Sequence, residues 1–140
     1  MQKNTTSTAL RVANAFMGLV FLVAAAVQYN DPNGLIWGAF YGIAAVVCAL
    51  AAARLATGAF PALVCGVALV GAVVKLFEGA GNVPFLRLFE SWKMTSASVE
   101  KTRELGGLLI VAVWMGVLTG TVFNRHRTAQ KHASDSSSRV

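Results

Sequence analysis

The sequence predicts an all-α membrane protein, a bundle of four transmembrane helices. Three observations carry this. Of 140 residues, 56% are hydrophobic and only 13% charged, a composition with too little polar surface to keep a water-facing domain of this size soluble. From Val12 through Val74 only Asp31 and Arg54 are ionised, too few charges to cover the outer faces of a soluble bundle. Four apolar stretches approach the roughly 20 helical residues needed to cross a hydrocarbon core of ~30 Å.

Those stretches are Val12 to Val27, Leu35 to Ala53, Ala56 to Val74 and Gly106 to Phe123, giving spans at about 10–28, 35–53, 56–74 and 105–123. Each is continuously apolar and rich in Ala, Leu, Val and Gly, whereas barrel strands alternate apolar and polar over about ten residues. The first stretch follows Lys3 and Arg11 and contains Ala24-Ala25-Ala26. It can therefore also be read as a cleavable signal peptide, which would leave three spans.

The connections differ. Asn30 to Gly34 and Arg54 to Gly58 are short and force their neighbours antiparallel, while Lys75 to Leu105 is long. Within the long one, Phe85, Leu88, Phe89 and Trp92 recur at i, i+3, i+4 and i+7, with Pro84 at a first-turn position and Arg87, Glu90 and Lys93 elsewhere on the turn. That pattern predicts a short interfacial helix between the third and fourth spans. After Phe123 comes Asn124-Arg-His-Arg and a serine-rich polar tail. Having little apolar surface to bury, 124–140 is expected to be a disordered cytoplasmic tail.

Four spans place Lys3, Arg11, Arg54, Arg125, Arg127, Lys131 and Arg139 on one side, and Lys75, Arg87, Lys93, Lys101 and Arg103 on the other. The excess predicts both termini in the cytoplasm and a multi-pass protein of the plasma (inner) membrane. The formal charge of +6 is spread over loops and tail rather than along one face, which speaks for topology and against nucleic acid as a partner. Cys48 and Cys65 fall inside apolar runs and read as small buried hydrophobes. Two small-xxx-small pairs, Gly38/Gly42 and Gly116/Gly120, mark faces for close helix approach, within the bundle or in a homo-oligomer.

Two polar clusters are the candidate binding site. Gln28-Tyr29-Asn30-Asp31-Pro32 ends the first span, and Glu100-Lys-Thr-Arg103-Glu104 opens the fourth. A structural role is available to both: Asp31 as an N-cap with Pro32 at the first helical position, and Glu100 and Glu104 favouring the dipole of a first turn. The functional reading takes Gln28, Asn30, Asp31, Glu100, Arg103 and Glu104 as one outer polar cluster. Two intervening spans return the chain to the side it left, so Asp31 and Arg103 are expected to pair, each compensating the other's lost hydration.

These clusters resemble the transmembrane protein 220 family, small four-span proteins. The likeness is carried by Gln28, Asn30, Asp31 and Pro32 with Trp37 and Tyr41, then by Arg103, Glu104, Leu105 and Gly107, and covers roughly residues 10–123. It implies the four-span fold and the two polar clusters; it implies no reaction.

Catalytic sets are thin. His126 and His132 lie in the tail, away from the outer carboxylates, and no Cys or His group has metal-ligand spacing. A carboxylate metal site from Asp31, Glu100 and Glu104 is the only metal reading open, and no cofactor is specified. Three functions follow: a non-enzymatic module binding a partner membrane protein or membrane lipid at the outer cluster; a small carrier or proton-coupled transporter with Asp31, Glu104 and Lys75 lining a polar cavity; and a membrane-embedded enzyme acting on lipid or quinone.

Overall fold

A computed structural model of the chain describes residues 3–81 and 97–137. The interfacial helix expected at Phe85 to Lys93 lies outside the described residues. The described chain is all-α. Helix α1 runs Lys3–Val27 and passes into a single 3₁₀ turn, Gln28–Asn30; α2 is Gly34–Ala52, α3 Ala59–Phe77 and α4 Ala97–Ser137. Each of the four contains a segment long and apolar enough to cross a membrane. Large apolar side chains such as Phe16, Leu19, Ile43, Val70 and Val113 stand exposed along the spans, which suits a surface bathed by lipid rather than water.

The chain divides into two compact units, residues 1–61 with 118–140, and residues 62–117. In the first, α1 and α2 pack as antiparallel neighbours. Asn14 and Phe21 are buried on one stripe of α1, and Gly18 lies between them. A Cβ on Gly18 would lie 3.3 Å from the Cys48 Cβ and 3.5 Å from the Ala45 carbonyl oxygen, so this glycine sets how closely the two backbones approach. Cys48 itself is fully buried. Leu118 and Val122 of α4 are also buried in this unit, and Gly58 abuts the Phe123 ring.

In the second unit α3 and the first half of α4 keep one antiparallel register. The Cys65 thiol donates to the Ala112 carbonyl at 3.3 Å, Gly71 lies against the Leu108 side chain, and further along Lys75 meets Glu104. Small residues at Ala68, Gly71 and Ala72 line the seam, as close packing requires where lipid removes the hydrophobic drive for helices to associate. Of the glycine pairs expected from spacing, Gly38 and Gly116 make ordinary contacts with the Ala25 carbonyl and the Cys65 sulfur, while Gly42 and Gly120 face open space. Close approach is instead governed by Gly18 and Gly71.

Helix ends explain where the spans begin and stop. The expected N-cap at Asp31 is not the one used: α2 starts at Gly34, and Asn33 holds the N-cap position without a side-chain capping bond. Asp31 is extended, as a residue before proline prefers, and heads a turn in which the Gly34 N–H donates to the Asp31 carbonyl at 2.9 Å. Proline second, Asn33 at φ −105, ψ 23 third and glycine fourth is the residue order of a type I turn.

Helix α2 closes in a Schellman motif: the Leu55 N–H reaches the Leu50 carbonyl at 2.8 Å and the Arg54 N–H the Ala51 carbonyl at 3.1 Å. The left-handed position is held by Arg54, φ 64, where glycine is usual. Pro61 follows in the first turn of α3, a place that tolerates a missing N–H. The third span therefore occupies 59–77 rather than 56–74.

Past Phe123, where a disordered tail is expected, the chain is still helical through Ser137 with its described side chains exposed. A helix already nucleated in the span needs only one bond per added residue. The added residues include good helix formers at Arg125, Arg127, Ala129, Gln130, Lys131 and Ala133.

Candidate functional site

The polar end of the second unit is built by the way α3 stops. Its Schellman motif places glycine, Gly79 at φ 87, in the left-handed position, with the Ala80 N–H reaching the Lys75 carbonyl at 2.9 Å and the Gly79 N–H the Leu76 carbonyl at 3.0 Å. Ala80 is buried beneath the turn. This holds Glu78 over Lys75 on the last turn.

Lys75 Nζ sits 2.7 Å from Glu104 Oε2 and 3.1 Å from Glu78 Oε2, and the Lys75 and Glu104 side chains are only 21% and 14% exposed. The first turns of α4 clasp the same end: Lys101 Nζ donates to the Glu78 carbonyl at 3.2 Å, and the Gly81 N–H donates to Thr102 Oγ1 at 3.1 Å. Glu100 lies in the first turn of α4, half-buried, where the helix dipole favours an acid. Arg103 is exposed.

Of the six candidate residues, Glu100, Arg103 and Glu104 thus belong to the second unit and to one end of one helix. Gln28, Asn30 and Asp31 belong to the first unit. Gln28 contributes its main chain, its carbonyl accepting the Asp31 N–H at 3.0 Å. One turn on, Trp37, Phe40 and Tyr41 form an aromatic cluster with centroids 5.8–6.3 Å apart, fitting for a span end at the membrane–water boundary. Lys75, expected beside Glu104 in a polar cavity, does meet it. Among the described residues no group of three or more His, Cys, Asp or Glu is placed to hold a metal.

A second polar place was not legible as a site. In the first unit a pocket of about 190 Å³ is lined by Arg11, Asn14, Arg54, Arg125 and His126 over an apolar floor of Leu10, Leu118 and Val122. Its residues come from α1, from the end of α2 with the turn that follows it, and from the middle of α4. The available signal was Asn14, an amide inside an otherwise apolar run.

A family model described as "Transmembrane family 220, helix" matches residues 20–120, which include both polar clusters. No solved structure matches the chain.

Proposed function

The chain belongs to transmembrane family 220, and we propose that it is a non-enzymatic membrane module that binds a membrane partner, protein or lipid, at the polar end of its spans. The observation that carries the reading is the clasp of Lys75 by Glu104 and Glu78. One ammonium shared by two carboxylates in a fixed geometry leaves one negative charge over and makes a half-buried polar platform beside the exposed Arg103, whose planar fork of donors suits recognition.

A photoreactive residue at position 103 of the full chain, in native membranes, tests this. A discrete adduct is expected there that is missing at Val113, an exposed mid-span position. Identical adduct profiles at the two positions would refute a binding end.

Both termini are placed in the cytoplasm in this reading, on the distribution of basic residues. A reporter fused at Val140 should be active only in its cytoplasmic form; activity of an extracytoplasmic reporter overturns the orientation.

The meeting of Lys75 and Glu104 also favours a second reading, a proton-coupled carrier that uses this pair as its switch. Proton flux in proteoliposomes that is lost in Glu104→Gln would establish it. Flux no greater than in protein-free vesicles would remove it.

A further inference from the structure

We propose that the arginine-lined pocket of the first unit is a binding site for the headgroup of an anionic glycerophospholipid that carries hydroxyl donors, of the phosphatidylglycerol type. This site is distinct from the polar end of the second unit and does not depend on the reading given for it.

Three features define the ligand. First, charge: Arg11, Arg54 and Arg125 line the pocket with His126, and no carboxylate is among the lining residues. The Arg11 guanidinium is oriented by its Nε–H, which donates to the Ala52 carbonyl at 3.0 Å. Three arginines lining one pocket that no carboxylate lines match a phosphodiester, which arginine binds through paired donors.

Second, Asn14 is 4% exposed, and its Oδ1 is buried with no hydrogen-bond partner. A buried acceptor left unmade is costly, and a phosphodiester monoanion, which carries no P–OH, cannot satisfy it. A hydroxyl-bearing head can, placing phosphate on the arginines and a hydroxyl on Asn14. Third, size and place: about 190 Å³ is below the ~300–1,000 Å³ of sites that enclose a whole drug-sized ligand, yet it accepts a phosphate with a short polyol. The pocket lies where the apolar runs of α1, α2 and α4 give way to basic residues, with Leu10, Leu118 and Val122 as its apolar wall, as suits a place where lipid headgroups meet basic side chains.

The test uses the purified full chain in detergent, reading lipid retention by native mass spectrometry and thermal stabilisation on lipid addition. Dioleoyl phosphatidylglycerol should be retained at least tenfold over dioleoyl phosphatidylcholine. Arg54→Gly should lose at least fivefold of that retention while melting no lower than the parent, since glycine suits the turn. Arg125→Gln, at an exposed position, should lose retention comparably and keeps the test valid if Arg54→Gly folds poorly. Lys131→Gln, which removes the same charge outside the pocket, should change nothing.

Asn14→Leu should reduce the preference for phosphatidylglycerol over phosphatidylmethanol, a phosphodiester without headgroup hydroxyls. Equal retention of the glycerol and choline lipids, or equal losses in Lys131→Gln and Arg54→Gly, overturns the site. Displacement of bound lipid by millimolar inorganic phosphate or glycerol 3-phosphate overturns the assignment to lipid in favour of a soluble phosphate.

Discussion

Gly34→Ala is expected to destabilise the chain by about 3 kcal/mol, at the upper end of the usual cost of forcing atoms into filled space. A Cβ on Gly34 would lie 2.1 Å from the Gln28 carbonyl oxygen, far inside contact distance, and the obstacle is main chain. That oxygen is committed, since it accepts the Asp31 N–H, while the Gly34 N–H is committed to the Asp31 carbonyl. Relieving the clash therefore means opening the turn that joins α1 to α2. Gly34 is not among the glycines with positive φ, so the requirement is for space and not for conformational freedom.

Gly42→Ala is the matched control. Nothing lies within 4 Å of its added Cβ, and replacing a mid-helix glycine should be neutral or gain up to about 1 kcal/mol. Unfolding of the purified protein in mixed micelles reads both. A loss below about 1 kcal/mol for Gly34→Ala would show that the turn relaxes freely.

Lys75→Met should be the second large effect, about 2–3 kcal/mol. Removing one partner of a fully buried pair costs about 3–5 kcal/mol, whereas exposed pairs are worth less than about 1 kcal/mol. With side chains 21% and 14% exposed, Lys75 and Glu104 stand nearer the first limit. The loss is asymmetric: without Lys75 two carboxylates lose their cation, whereas Glu104→Gln leaves Lys75 still paired to Glu78 at 3.1 Å. Glu104→Gln should therefore cost about half as much, and the double variant should recover part of the summed loss, as residues in direct contact do. Strict additivity of the two single losses would show that the pair contributes no net coupling.

The four spans were legible because a helix in lipid must be apolar for its whole length, and that signature survives in composition alone. Their ends were less so. Ala56 looks as apolar as Ala59, and only the Schellman turn around Arg54, closed by the Leu55 N–H, moves the start of α3 three residues on. The same shift carries Lys75 onto the last turn of a helix, where it can reach Glu104.

That Lys75 and Glu104 share a polar end was readable from topology. Their pairing was not, because it depends on the register of α3 against α4. Asp31 looked like a cap since Asx-Pro commonly starts helices, but the following Asn33-Gly34 lets the chain complete a full turn first. The arginine pocket was out of reach because Arg11, Arg54 and Arg125 are separated by 43 and 71 positions, a distance that only the packing of three helices closes.

The unbroken run of α4 to Ser137 also changes what the bilayer can feel. At about 1.5 Å per residue, Arg125 and Arg127 stand roughly 3 and 6 Å along the axis from Phe123, while Lys131 and Asp135 stand roughly 12 and 18 Å away. Physiological salt screens charges over about 8 Å. The first two arginines thus lie within the electrostatic reach of the lipid headgroups, and Lys131 and Asp135 lie beyond it. A flexible tail could fold its charges back onto the surface; a helical one holds Lys131 and Asp135 out in the bulk electrolyte, so among the described tail residues only the first turn stands within reach of the membrane surface.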